Sequence, residues 1–182
     1  MKYYKKIVGE QVYLSPINVE DVDKYVNWLN DPSVTDNLGT SWQVMSHICE
    51  KNWIEENLKN DRAYYFGIVK NDTNELIGNV GIEDINPVHR TATVGIFIGD
   101  EECRGKGYGT EAMSLVIKYG FDVLNLNNIN LNVFSFNERA VKSYIKAGFK
   151  EYGRRRKANY SNGEYHDVIC MDILREEFYD KQ

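Results

Sequence analysis

The sequence is short of several things, and each shortage removes a class of protein. It has only three cysteines, Cys49, Cys103 and Cys170, widely separated and without Cys-x-x-Cys spacing. Neither a disulfide framework nor a zinc site is indicated, and all three read as free thiols. No apolar run comes near the roughly 20 residues needed to cross a bilayer. The basic start, Met1-Lys2-Tyr3-Tyr4-Lys5-Lys6, is not followed by an apolar signal core. A cytoplasmic protein without a membrane partner is expected. Lys and Arg number 22 against 27 Asp and Glu, for a formal charge of −5. Binding a nucleic-acid backbone needs a basic face, so nucleic acid is not an expected partner, whereas a cationic substrate fits the sign. Repeats and low-complexity linkers are absent too. The 182 residues suit one domain over residues 1–182, burying roughly 70% of its unfolded surface.

What is present alternates between strand-like and helix-like patterns. Residues 11–14 form a short strand ended by Ser15-Pro16. Residues 18–29 carry Val19, Val22, Val26 and Leu29 at helical spacing, with Glu20 and Asp21 near the start. Asn30-Asp31-Pro32 breaks that helix and Gly39-Thr40-Ser41 is a loop. Residues 42–58 read as a second helix or helix pair with Val44, Ile48, Trp53 and Ile54 inward. Residues 64–69 and 76–82 are strands joined by Asn71-Asp72-Thr73-Asn74, a hairpin signal. Residues 91–99 form another strand, and 110–124 a helix through Ala112, Met113, Val116, Tyr119 and Val123. A strand at 130–134 follows. Asn137 caps a helix that runs to Ala147 and stops at Gly148. Residues 149–156 and 165–174 close the chain as strands around Tyr160-Ser161-Asn162-Gly163. The order predicts an α+β fold, a mixed central sheet flanked by helices.

One stretch lies between a strand and a helix and carries three glycines at alternate positions: Cys103-Arg104-Gly105-Lys106-Gly107-Tyr108-Gly109-Thr110. Glycine permits positive φ and close approach, successive amides turn inward as an anion nest, and the following helix adds its N-terminal field. The stretch reads either as a phosphate seat or as a plain strand-to-helix turn. It is neither a P-loop nor Gly-x-Gly-x-x-Gly. It fits Arg/Gln-x-x-Gly-x-Gly/Ala through Arg104, Gly107 and Gly109, and so resembles the acetyl-CoA pyrophosphate loop of the GNAT superfamily of N-acetyltransferases. The run from Asn137 through Ala140 and Tyr144 to Gly148-Phe149 resembles that family's Asn-x-x-Ala-x-x-x-Tyr-x-x-x-Gly-Phe. Ile77-Gly78-Asn79-Val80-Gly81, His89-Arg90, Tyr119-Gly120-Phe121 and Asn162-Gly163-Glu164-Tyr165 are similar to the branch of ribosomal-protein-type and spermidine N-acetyltransferases. The likeness covers most of residues 7–178.

That resemblance implies a GNAT fold and a direct, metal-free transfer of acetyl from acetyl-CoA to a primary amine. Arg104, Gly105, Lys106, Gly107, Tyr108, Gly109 and Thr110 would hold the pyrophosphate through backbone amides. Phe97 and Ile98 would pair their main chain with pantetheine and polarise the thioester. Asn137 would contact the pantetheine arm, act as a helix cap, or do both. Tyr144 matches the family's general acid, and residues 42–58 would cover the acceptor. For the base, Glu83 and Asp84 are the candidates, Glu83 first, with His89 as the alternative. Where the family commonly has Glu on the next strand, this chain has Gly95. The acceptor is ranked as a polyamine or other small amine, then a protein N-terminus or lysine, then an aminoglycoside. A non-catalytic acyl-CoA sensor is the other class. The spermidine enzymes carry acids in the loop after the first helix, whereas residues 38–43 here have none. Arg154-Arg155-Arg156-Lys157 reads as a solvated surface, or as a contact for an acidic acceptor or the adenosine phosphate. A homo-oligomer is expected by resemblance.

Overall fold

The computed structural model describes residues 2–180. Eight strands, β1 (Ile7–Val8), β2 (Val12–Pro16), β3 (Tyr64–Lys70), β4 (Leu76–Asn86), β5 (Thr91–Ile98), β6 (Asn128–Phe134), β7 (Lys150–Ser161) and β8 (Glu164–Leu174), make one sheet in the order β1-β2-β3-β4-β5-β6-β8-β7. Six helices flank it: α1 (Val22–Leu29), α2 (Pro32–Leu38), α3 (His47–Asn57), α4 (Tyr108–Asp122), α5 (Glu138–Ala147) and α6 (Arg175–Tyr179). Neighbouring strands are antiparallel except β5 and β6, so the sheet is mixed, as the pattern predicted.

The alternation along each strand sorts the core into two layers. On one face Ile129, Leu131 and Val133 of β6 and Ile169, Met171 and Ile173 of β8 meet Met113, Val116, Ile117 and Phe121 of α4. On the other face Tyr13, Val69 and Leu76 meet Tyr25 and Trp28 of α1, Val34 of α2 and Ile54 of α3. Each fully buried large side chain contributes about 1.5–3 kcal/mol. Gly120 lets α4 lie close to the sheet: a Cβ there would come within 2.8 Å of Ile129 and 2.9 Å of Ile82.

The feature that positions the site is a missing ladder. The parallel pairing of β5 with β6 joins only Thr91–Thr93 to Asn128–Asn130. Beyond it, β5 stays bonded to β4 as far as Ile98, and β6 stays bonded to β8 as far as Phe134. The sheet therefore opens between residues 94–98 and 131–134, leaving two facing rows of backbone groups without their ordinary strand partner.

Several elements differ from the sequence reading. Asn30-Asp31-Pro32 does end α1, but it also starts α2: the Asp31 carboxylate accepts from the Ser33 amide at 2.8 Å and Pro32 takes the first helical position. Helix α3 begins only at His47, capped by Ser46, and the side chains it buries are Glu50 and Ile54. Val44 (90% exposed) and Ile48 (71%) point outward rather than inward, and Trp53 lies at the surface against Tyr65. Val44 precedes the helix, in a segment pinned by Asn30 to the Met45 backbone. Val123 falls past the end of α4 and is exposed. Tyr160 and Ser161 are strand, so the closing turn shrinks to Asn162-Gly163, both at positive φ as a two-residue hairpin requires.

Candidate active site

The glycine loop leaves β5 through a short turn, Glu101–Cys103, capped by the Asp100 carboxylate on the Glu102 amide. Gly105 (φ 76°) and Gly107 (φ 92°) adopt the left-handed conformation that other residues resist, and α4 starts immediately after. The first turn of α4 lines the cleft through Gly109 and Thr110, where its N-terminal field favours an anion. Arg104 also works through its side chain: the guanidinium donates to the carbonyls of Ile98 (3.0 Å) and Gly99 (2.9 Å) and to Ser33 Oγ (3.0 Å). It locks the loop to the end of β5 and to α2. Gly105, Gly107, Gly109 and Thr110 line the cleft. The side chains of Lys106 and Tyr108 do not; Lys106 is exposed and Tyr108 packs on the core.

The cleft, about 760 Å³, follows the opening in the sheet. Phe97 and Ile98 form its β5 wall, and the Phe97 ring packs edge-on against Tyr25 and Trp28. Asn137 lines the cleft while its Oδ1 caps α5 on the Ala140 amide at 3.1 Å, so the cap and a ligand contact are compatible. Thr110 and Ser143 share a 2.8 Å hydroxyl contact that ties α4 to α5. Arg139, Lys142 and Lys146 add a cationic rim along α5. The sequence reading missed this rim, although the spacing of three and four residues marks one helix face.

Tyr144 also lines the cleft, and among the described residues nothing hydrogen-bonds its hydroxyl. Burial pushes its phenol up to about 12. Glu83 reaches the cleft from β4 and accepts a 2.5 Å hydrogen bond from the Tyr65 hydroxyl. Burial and the Glu83 charge raise the Tyr65 phenol well above its ordinary range. The Tyr65 ring lies over Gly81, where a Cβ would meet it at 2.6 Å. Opposite Gly81, Gly95 leaves open floor: nothing lies within 4 Å of where its Cβ would be. Asp84 sits in an irregularity of β4 at φ 53°, exposed and away from the cleft. His89 is exposed in the next turn, its amide held by Asn86 Oδ1. The structure thus brings Tyr144 and Glu83 to one cleft and leaves Asp84 and His89 outside it. Tyr65 escaped the sequence reading because its tie to Glu83 runs between strands.

The end of the cleft away from the glycine loop has its own walls. Asn37 and Leu38 of α2 line it on one side, and Phe134, Val168 and Arg155 on the other. The β7–β8 turn bridges to α2 through Asn162 and Asp36 at 3.1 Å, and Gly39 packs directly on the Phe134 ring. Among the described residues no group of three His, Cys, Asp or Glu side chains is placed to hold a metal ion, and no helix is long and apolar enough to cross a membrane.

Comparison with known proteins agrees with this geometry. Residues 11–150 match the acetyltransferase (GNAT) domain family. An uncharacterised N-acetyltransferase, YokL, from the SPbeta prophage of Bacillus subtilis is 30% identical over 171 residues, covering 93% of each chain. The crystal structure of spermidine N-acetyltransferase from Vibrio cholerae in complex with CoA and spermine superposes with a TM-score of 0.86 at 27% identity, over 94% of this chain and 99% of that one. A dodecameric structure of the Vibrio enzyme gives 0.79 at 26% identity, over 96% and 99%. A sheet opened beside a glycine-rich helix start, with Asn137 and Tyr144 facing it, carries the same signature at the level of residues. The chain belongs to the GNAT family of N-acetyltransferases.

Proposed function

We propose that this protein transfers acetyl directly from acetyl-CoA to the nitrogen of a small primary amine, within a ternary complex and a single domain. The observation that carries the reading is one continuous cleft holding the glycine loop, the unpaired edge of β5, Tyr144 and Glu83. The donor fits these residues. A helix start entered through positive-φ glycines suits a pyrophosphate, and the edge of residues 94–97, without a strand partner on β6, suits the amide-bearing pantetheine arm. Main-chain groups at Phe97 and Ile98 would then polarise the thioester carbonyl.

A primary amine arrives mostly protonated at neutral pH. Glu83, oriented by Tyr65, takes that proton directly or through water and frees the lone pair. Tyr144 donates to the sulfur as it leaves. Burial raises its phenol, so Tyr144 holds its proton at neutral pH until the C–S bond breaks. Its proton moves in concert with C–S cleavage and is replaced from the nitrogen side. Asp84 and His89 take no part in this scheme.

The relatives named for spermidine make a polyamine the first acceptor to test. The absence of acids at residues 38–43 argues for a wider amine panel. A homo-oligomer is supported by the dodecameric relative, and a cytoplasmic setting by three free cysteines. Calorimetry with acetyl-CoA, followed by thioester cleavage over an amine panel, tests the whole reading. Binding without cleavage across the panel would favour an acyl-CoA sensor.

A further inference from the structure

The basic run Arg154-Arg155-Arg156-Lys157 is divided by the register of the sheet. Arg154 lies opposite Ile169, on the face that packs α4 and α5, and its guanidinium is occupied by Glu151 at 2.6 and 3.0 Å. Arg155 lies opposite Val168, which in turn faces Phe134 on β6. Side chains opposite one another across a sheet share a face, so Arg155, Val168 and Phe134 form one wall of the cleft, on the side that α2 covers. Among the described residues no carboxylate or carbonyl pairs with the Arg155 guanidinium. The α5 cations, Arg139, Lys142 and Lys146, belong to the donor side of the sheet. Among the described residues Glu83 is the one acid lining the cleft, and it is tied to Tyr65.

An exposed, unpaired guanidinium lining the open side of the cleft repels a polycation and recognises a planar anion through two parallel hydrogen bonds. We propose that Arg155 selects the acceptor, and that the acceptor is a primary amine carrying a carboxylate, as a free amino acid or a short acidic peptide does. Two strand spacings, about 10 Å, separate Phe134 at the edge of the opening from Arg155, a span that such a molecule bridges together with the arginine side chain. The chemistry is ordinary acetyl transfer: the C–S bond breaks, an amide C–N bond forms, and the amine proton ends on the thiol. The inference rests on the acetyltransferase reading above and deepens it.

The test compares acceptors that differ only in the carboxylate: lysine with cadaverine, ornithine with putrescine, and a short C-terminally amidated peptide with glutamate at its second position with its glutamine counterpart. Thioester cleavage gives kcat/KM for each. Preference for the carboxylate member by about tenfold or more is expected, and the favoured pair tells free amino acid from peptide. Arg155→Leu should collapse that ratio by raising the acceptor KM and not that of acetyl-CoA. Arg155→Lys should restore part of it, and Arg154→Leu, on the opposite face, should leave it intact. Turnover that favours the diamines or spermidine, or a ratio that Arg155→Leu does not change, overturns the inference and leaves the acetyltransferase reading standing. Cleavage with other amines of the panel but with no member of any pair overturns the inference alone, and cleavage with no amine at all overturns both.

Discussion

The Tyr65 hydroxyl donates a 2.5 Å hydrogen bond to the Glu83 carboxylate, over a glycine, Gly81, that exists in the space its ring needs. This pair orients the one acid in the cleft. Glu83→Gln should therefore lower kcat by about a hundredfold or more without weakening acetyl-CoA binding. Tyr65→Phe removes only the orienting bond and should cost about three- to tenfold in kcat. Steady-state kinetics alongside acetyl-CoA calorimetry checks both. Equal losses in the two variants would mean that Tyr65 itself meets the substrate.

Tyr144 is a half-buried phenol without a hydrogen-bond partner among the described residues. Tyr144→Phe should lower kcat by about a hundredfold, with acetyl-CoA affinity nearly unchanged. Because burial holds Tyr144 up to about 12, it keeps its proton across the working range. The wild-type rate should show no falling limb from this residue between about pH 7 and 10. A limb there that Tyr144→Phe abolishes would contradict the assignment.

Gly107 precedes α4 at φ 92°, with only Gln11 Nε2, at 3.6 Å, near the place of a Cβ. Space is available and conformation is not, so Gly107→Ala tests backbone geometry alone. It should cost about 1–2 kcal/mol in local strain and weaken acetyl-CoA binding about tenfold, as read by calorimetry.

Glu50 is buried under α3 without an ion pair among the described residues, and desolvation raises its carboxyl from 4.5 to about 7. The folded state then holds a proton that the unfolded state has lost. Stability is fully present below about pH 4.5 and declines as pH rises towards 7. Glu50→Gln should flatten that decline and gain about 2 kcal/mol near pH 8. Urea unfolding at several pH values measures it.

Local chemistry is what the sequence exposed most fully. The positive φ at Gly105 and Gly107, the Asn137 cap and the Gly148 stop depend on a few consecutive residues, and all stand where the pattern put them. Interactions across the sheet were hidden. Glu83 could be named only as one of two adjacent acids, because the irregularity that turns Asp84 away from the cleft belongs to the pairing of β4 with β5. The four-residue basic run looked uniform until the register of β7 gave Arg154 and Arg155 opposite faces. Val44 and Ile48 were misplaced for a different reason. Apolar spacing implied a helix or helix pair from residue 42 onward, whereas Ser46 starts α3 late and turns a different stripe inward.

The central claim is direct transfer in a ternary complex formed in this cleft. The measurement that meets it most squarely is a two-substrate initial-rate study with the best amine of the panel, with both protein and amine analysed by mass spectrometry after quenching. The account predicts intersecting double-reciprocal lines, acetylated amine and unmodified protein. Parallel lines with an acetylated enzyme, or acetyl-CoA binding without acetyl transfer to any amine, would contradict it.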